Sequence, residues 1–234
     1  MHPYLKEIIA IFNKHRDQKK ADGAKAYLLH QFEFFGLQTP LRRSLSKVFY
    51  KSHPIKNHAE LSTLIKECFA QPQRELHYFA IELLGFHHTL WDKKTLPLME
   101  WMITHNSWWD SVDSTNSNVI SKFFLKYPKH IAAYTLKWNR SNNNWLKRMS
   151  ILFQLTYKKN TNTPLLAAYI ENTINEKKSI IYISQIKLYN FKFPDDFMDC
   201  SQLYWRDGDH YSEAGRFRFS QRSQLLLEIK KALN

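Results

Sequence analysis

Apolar residues recur at three- and four-residue steps along most of the chain: Leu5, Ile8, Ile9 and Phe12; Phe79, Ile81, Leu83 and Leu84; Ile151, Leu152 and Leu155. That is the period of a helix with one buried face, whereas a half-buried strand alternates with period two. Only 5 glycines and 8 prolines occur in 234 residues, too few turn-formers for an all-β fold. The prolines fall where helices begin. Thr39-Pro40 and Thr163-Pro164 each offer a hydroxyl at the N-cap and Pro at the first helical position, and Pro128 precedes another helix. The pattern predicts helices near 2–15, 18–31, 40–52, 57–71, 73–87, 93–105, 108–126, 129–139, 144–158 and 164–176.

A longer period is superimposed. Segments opening at Gln73, Asn106 and Asn142 each start a helix after a polar stretch, roughly 35 residues apart, with a second helix between them. One helix pair cannot bury its own apolar face, so pairs at this spacing must stack. The expected fold is all-α, an α-α superhelix of HEAT-like/ARM-like helical repeats with a long concave surface. From about Lys177 the text becomes β-branched and aromatic, and two of the five glycines follow. Residues 1–176 are therefore read as the repeat domain, and 177–234 as a divergent C-terminal tail that need not be an independent domain.

Lys and Arg number 34 against 21 Asp and Glu, a net charge of +13. An excess of this size favours a polyanionic partner, since each phosphate neutralised releases condensed counterions. A basic concave groove fits duplex DNA. Two distant cysteines, Cys68 and Cys200, make no disulfide framework and no zinc spacing. The opening MHPYLKEIIAIFNKH is interrupted by Lys6 and Glu7 and reads as an amphipathic helix, not a signal peptide. No apolar run reaches membrane-spanning length. The expectation is a soluble, cytoplasmic monomer with no membrane association. The 11 histidines form no metal-ligand pattern, and neither a Gly-rich phosphate loop nor a GxSxG elbow occurs. No metal and no cofactor are expected.

The segment Ser107-Trp108-Trp109-Asp110-Ser111-Val112-Asp113 carries the most chemical information. Ser107 with Asp110 resembles a capping box. Trp109 and Asp113, four residues apart, lie about 40° from each other around a helix and share one face. Cleavage of an N-glycosidic bond develops positive charge on the deoxyribose. A carboxylate stabilises that charge and orients water, while an indole face adds stacking and cation–π attraction. The residue types alone serve equally well as core indoles beside a solvated or capping acid. Arg148, on the opening turn of the next repeat, suits a phosphate or a solvated cationic face. FFGLQTPLRR (Phe34 to Arg43) offers a free helix N-terminus and two arginines. Tyr27, on the preceding helix, is an aromatic probe or a packing residue.

Taken together, MHPYLKEIIAIFNKH, FFGLQTPLRR, SWWDSVD and NNNWLKRMSILFQLTYKK resemble, in colinear order, blocks of the AlkD family of bacterial DNA alkylation repair glycosylases. The resemblance covers residues 1 to about 176. It implies a HEAT-like superhelix that wraps double-stranded DNA and removes cationic alkylpurines, such as 3-methyladenine and 7-methylguanine, without metal or cofactor. By that resemblance Asp113 stabilises the oxocarbenium and positions water, and Trp109 contacts the lesion's deoxyribose. Arg148 holds the nearby backbone, Gln38, Thr39 and Arg43 grip phosphates, and Tyr27 approaches the minor groove. The family does not need a snug flipped-base pocket, because a cationic purine is already a good leaving group. After Asn175 the family continues with a helix bearing a second tryptophan and a further arginine. Here no Trp occurs between Trp145 and Trp205, and LYWRDGDHYSEAG resembles instead the Asp-x-x-His segment of SGNH-type esterases, at Asp207 and His210. No serine-bearing block accompanies it. The alternative function is a non-catalytic HEAT-like DNA-binding or scaffold protein whose lesion cleft is incomplete.

Overall fold

The amphipathic stretches fold as helices joined by short connections. They are α1 (Pro3–Lys14), α2 (Gln18–Tyr27), α3 (Thr39–Ser52), α4 (His58–Phe69), α5 (Arg74–Phe86), α6 (Thr95–Thr104), α7 (Trp109–Thr115), α8 (Ser121–Lys126), α9 (Ile131–Asn139), α10 (Asn144–Leu152) and α11 (Thr163–Asn175). The computed structural model describes residues 2–175, with the backbone of β1 (Trp205–Asp207) and β2 (His210–Tyr211). The chain divides into two units, Met1–Thr173 and Ile174–Asn234. In the second, β1 and β2 pair antiparallel, and the register sets Asp207 opposite His210. The side chains of that proposed Asp-x-x-His pair lie outside the described residues.

The first unit is a stack of helical hairpins: α4 packs on α5, α6 on α7, and α9 on α10. Second helices also stack on one another, α3 on α5, α5 on α7 and α7 on α10, forming one row. The larger of two apolar clusters among the described residues runs through the stack, with Leu5, Ile8, Phe12, Leu64, Phe79, Leu83, Met99, Phe123, Phe124 and Trp138 all sealed from solvent. The all-α superhelix of HEAT-like repeats follows from this arrangement.

Hydrogen bonds between hairpins repeat with the period of the sequence. Tyr127 donates to Trp91 O and Tyr157 to Ser121 O, each across 36 residues, and the Asn116 amide donates to Leu152 O, also 36 residues away. In a solenoid, residues one period apart face each other on neighbouring helices. Two ion pairs on the α3–α5–α7–α10 row obey the same geometry, Arg74 with Asp110 and Asp113 with Arg148, and Arg42 joins Glu82 between α3 and α5 at a separation of 40 residues.

Local chemistry moved several boundaries. Gln38, not Thr39, is the N-cap of α3, with Thr39 the first helical residue; the Gln38 side chain makes no capping bond. At α11 the Asn162 side chain accepts from Leu165 N (3.1 Å). The helix expected over 18–31 stops at Tyr27, because Leu29 and His30 take left-handed φ of 54° and 58°. The helix expected over 144–158 ends at Leu152, where the α10 terminus is bonded by Asn116 and by Ser121, whose hydroxyl donates to Phe153 O (2.6 Å).

The helix expected over 108–126 is interrupted by a π-turn at Asn116–Ile120 between α7 and α8. A π-turn accommodates one extra residue and rotates the downstream helix by about 100°. Its polar residues are absorbed internally: Ser121 donates to Asn116 Oδ1 (3.0 Å), and Asn118 donates to Ser114 O (2.8 Å). No described helix is long and apolar enough to cross a membrane.

The buried pair makes a sharp stability prediction. Arg74 is wholly buried and the Asp110 side chain 8% exposed, so Asp110→Ala strands a cation in the core and should cost about 3–5 kcal/mol. Arg43, whose side chain is 59% exposed beside Glu82, should lose less than about 1 kcal/mol as Arg43→Ala. Urea midpoints at unchanged m-value check both.

Candidate nucleic-acid interface

Trp109 opens α7, with Trp108 as N-cap in an extended conformation (φ −150°). The capping box expected of Ser107 and Asp110 does not form. Ser107 donates to Ile103 O (2.5 Å), while Asp110 turns to α5 and accepts two bonds from Arg74, Nε at 2.8 Å and Nη2 at 2.7 Å. A guanidinium buried without a carboxylate costs far more than a helix N–H left to water, so Asp110 is used where it is needed. Arg74 also donates to Asn106 O (2.7 Å) and stacks over Phe32 (3.8 Å to the ring centroid). The Tyr78 hydroxyl makes a short hydrogen bond to Asp110 Oδ2. Burial and the adjacent carboxylate push the Tyr78 phenol far above its ordinary value, so it remains a donor. These contacts seat the start of α7, and with it Trp109, against α5.

Trp109 then packs on two sides. Ala21, Leu28 and Phe34 form a small apolar cluster against which Trp108 and Trp109 lie. The Tyr27 ring meets Trp109 edge-on, centroids 5.7 Å apart at 79°. Tyr27 is 69% exposed, too exposed to be a packing residue alone. The two rings wall an open pocket of about 530 Å³ whose lip carries Gln38, Thr39 and Lys20 and whose floor includes Phe34, Leu37, Glu75, Tyr78 and Asp110. The Phe34–Leu37 loop is pinned from below. The buried Glu75 carboxylate accepts from the N–H of Phe35 (3.1 Å), Gly36 (2.8 Å) and Leu37 (3.2 Å). Burial holds Glu75 above the usual carboxylate range, and those N–H donors pull it back down. Gly36 has φ +89°, and a Cβ there would lie 2.0 Å from Asp17 O, so only glycine lets the loop pass α2.

Asp113, one turn beyond Trp109, is half-buried and gripped from α10. Arg148 donates Nε to Oδ1 (2.8 Å) and Nη2 to Oδ2 (2.7 Å), in the fork geometry that fixes a carboxylate plane. The side chains are 35% and 15% exposed, so the pair reaches solvent. Neither residue lines the Trp109 pocket. The structure thus gathers Tyr27, Gln38, Thr39 and Trp109 around one cavity and joins Asp113 to Arg148 beside it. Arg43 lies further along α3 and donates to Glu82 Oε1 (3.0 Å). Among the described residues, no group of three or more His, Cys, Asp or Glu side chains is placed to hold a metal ion.

The sequence and the fold both have counterparts among known proteins. The family model of the DNA alkylation repair enzymes matches residues 8–182. The chain belongs to this family. A solved structure, a predicted DNA alkylation repair enzyme from Enterococcus faecalis, superposes with a TM-score of 0.65 at 24% identity, covering 74% of this chain and 80% of the other. Among curated proteins none matches. The family match spans every residue of the Trp109 pocket and the Asp113–Arg148 pair, so this member of the DNA alkylation repair enzymes carries both in the shared portion of the chain.

Sequence reading missed Arg74, Glu75, Tyr78 and the pairing role of Asp110. The signal for the ion pairs was present: Arg74 and Asp110 stand 36 residues apart and Asp113 and Arg148 35 apart, one repeat period each.

His77 reports on the same cluster. Its Nδ1 accepts from Arg74 Nη1 (3.0 Å) and its Nε2–H donates to Gln71 O (2.8 Å), which makes the ring neutral with its proton on Nε2. Burial, reinforced by the Arg74 charge, pushes it down from 6.5 to about 4. A folded value below the unfolded one means its stabilisation is complete above pH 6.5 and is lost as pH falls toward 4. Stability should therefore drop by up to about 3 kcal/mol over that window. His77→Gln, which cannot titrate, should flatten this arm in urea unfolding measured from pH 7 to 4.

Proposed function

We propose that this DNA alkylation repair enzyme is a DNA N-glycosylase, hydrolysing the N-glycosidic bond of cationic alkylpurines such as 3-methyladenine and 7-methylguanine in duplex DNA, as the first step of base-excision repair. The observation that carries the proposal is the pairing, on one solvent-reaching turn of α7, of the Trp109 indole with the Asp113 carboxylate fixed by Arg148. Residues 1–176 form the catalytic and DNA-binding portion, acting in the cytoplasm as a monomer without metal or cofactor.

In this reading the C1′–N bond breaks with its electron pair passing to the base, which leaves neutral. Positive charge develops on the deoxyribose beside Asp113, where a fixed carboxylate stabilises it without reorganising. Each carboxylate oxygen bonded to Arg148 keeps a further lone pair. Asp113 thus retains the capacity to accept a hydrogen bond from the water that adds to C1′. The Trp109 face packs against the sugar and favours its cationic character. Tyr27, at the pocket mouth, approaches the minor groove; Gln38, Thr39 and Arg43 face phosphates along α3; and Arg148 holds the backbone beside the lesion.

The absence of a tryptophan between Trp145 and Trp205 favours a second reading, DNA binding without base release. One assay separates the two: free base released from duplex DNA containing 7-methylguanine. Asp113→Asn should reduce release at least about 100-fold, the scale of removing one preorganised charge-stabilising group, with duplex affinity nearly unchanged. Full activity in that variant removes Asp113 from the mechanism. Arg148→Ala should weaken duplex binding and shallow the salt slope by about one unit, and should also lower release by freeing the carboxylate plane. An unchanged slope argues against a phosphate contact.

A further inference from the structure

A second hollow, of about 310 Å³, is lined by Arg43 and Lys47 of α3, Glu82 and Phe86 of α5, and Lys122 of α8. Its charge differs from that of the Trp109 pocket, where Glu75 and Asp110 offset Lys20 and Arg42. Here the one acid, Glu82, is shared by Arg42, which engages both its oxygens (2.7 and 3.0 Å), and Arg43 (3.0 Å). Lys47 and Lys122 are exposed and, among the described residues, neither is bonded to an acid. The hollow is therefore cationic, with an exposed aromatic edge at Phe86.

Two backbone features assemble it. Lys122 follows Asp110 by twelve positions, which in an uninterrupted α-helix would point it about 120° away; the extra residue of the π-turn brings it back to within roughly 20° of the Asp110 face. Gly85 allows α5 to approach that turn closely, since a Cβ there would lie 3.0 Å from Asn118 O. From Trp109 to Lys122 the helix rises by roughly 20 Å, too far for both ends to serve one nucleotide.

We propose that Arg43, Lys47 and Lys122 form a phosphodiester-binding subsite for the DNA backbone, remote from the lesion, with the Phe86 edge beneath the sugar. The inference rests on the DNA reading above and adds Lys47 and Lys122 to it. Lysines here act as point charges that release counterions, so the subsite contributes equally to damaged and undamaged duplex.

The test is the salt dependence of binding to undamaged duplex, followed by fluorescence anisotropy, for Lys47→Ala/Lys122→Ala. The wild-type slope of log K against log salt should become shallower by about two, at roughly 0.9 per phosphate contact, and by the same amount on lesion-bearing duplex. A control, Lys6→Ala/Lys14→Ala, removes two exposed charges from α1 and should move the slope by far less. An unchanged slope overturns the subsite, as does an equal shift in the control or a change confined to lesion-bearing duplex. A wild type that binds duplex and releases no base defeats the glycosylase reading while leaving this one standing. A wild type without salt-dependent duplex binding defeats both.

Discussion

A guanidinium is sealed from solvent inside the first unit, and the position of α7 depends on how its charge is met. Arg74 is met on every side: by both oxygens of Asp110, by Asn106 O, by His77, and by the face of Phe32. Such a cluster adds little net stability over an apolar replacement of equal shape, but it tolerates only one arrangement of its neighbours. Because Asp110 follows Trp109 directly, fixing the acid also fixes the indole. The Tyr27–Trp109 wall, the pocket beneath it and the turn that carries Asp113 all take their place from this buried charge.

The same logic continues across the row. Arg42 with Glu82, Arg74 with Asp110 and Asp113 with Arg148 join successive helices, and exposure increases from the second pair to the third. Interior pairs set geometry; the outermost pair reaches solvent.

Much of this was legible in the sequence, for identifiable reasons. Ten helices were readable because apolar residues at helical spacing leave few alternatives, and the repeat was readable because polar breaks recur near every 35 residues. The ends of α2 and α10 were not, since they depend on left-handed residues at Leu29 and His30 and on side chains from a different repeat, Asn116 and Ser121. Trp109 and Tyr27 were visible as candidates, but their contact was not, because it crosses a loop held in place by Glu75 from α5. Asp110 looked like a cap in sequence because its partner lies a full repeat upstream.

The π-turn at Asn116–Ile120 has a consequence for how this helix varies. Its two halves are out of phase by one residue, so positions before Thr115 and after Ile120 obey different face assignments. Counting outward from Trp109 by sevens assigns the inner and outer surfaces correctly for two turns and then mislabels them by more than a quarter of the circumference. A relative lacking the inserted residue would carry its downstream lysines on another flank while every upstream contact stayed intact, and would align to this chain with a one-position gap in the middle of an otherwise unbroken helix.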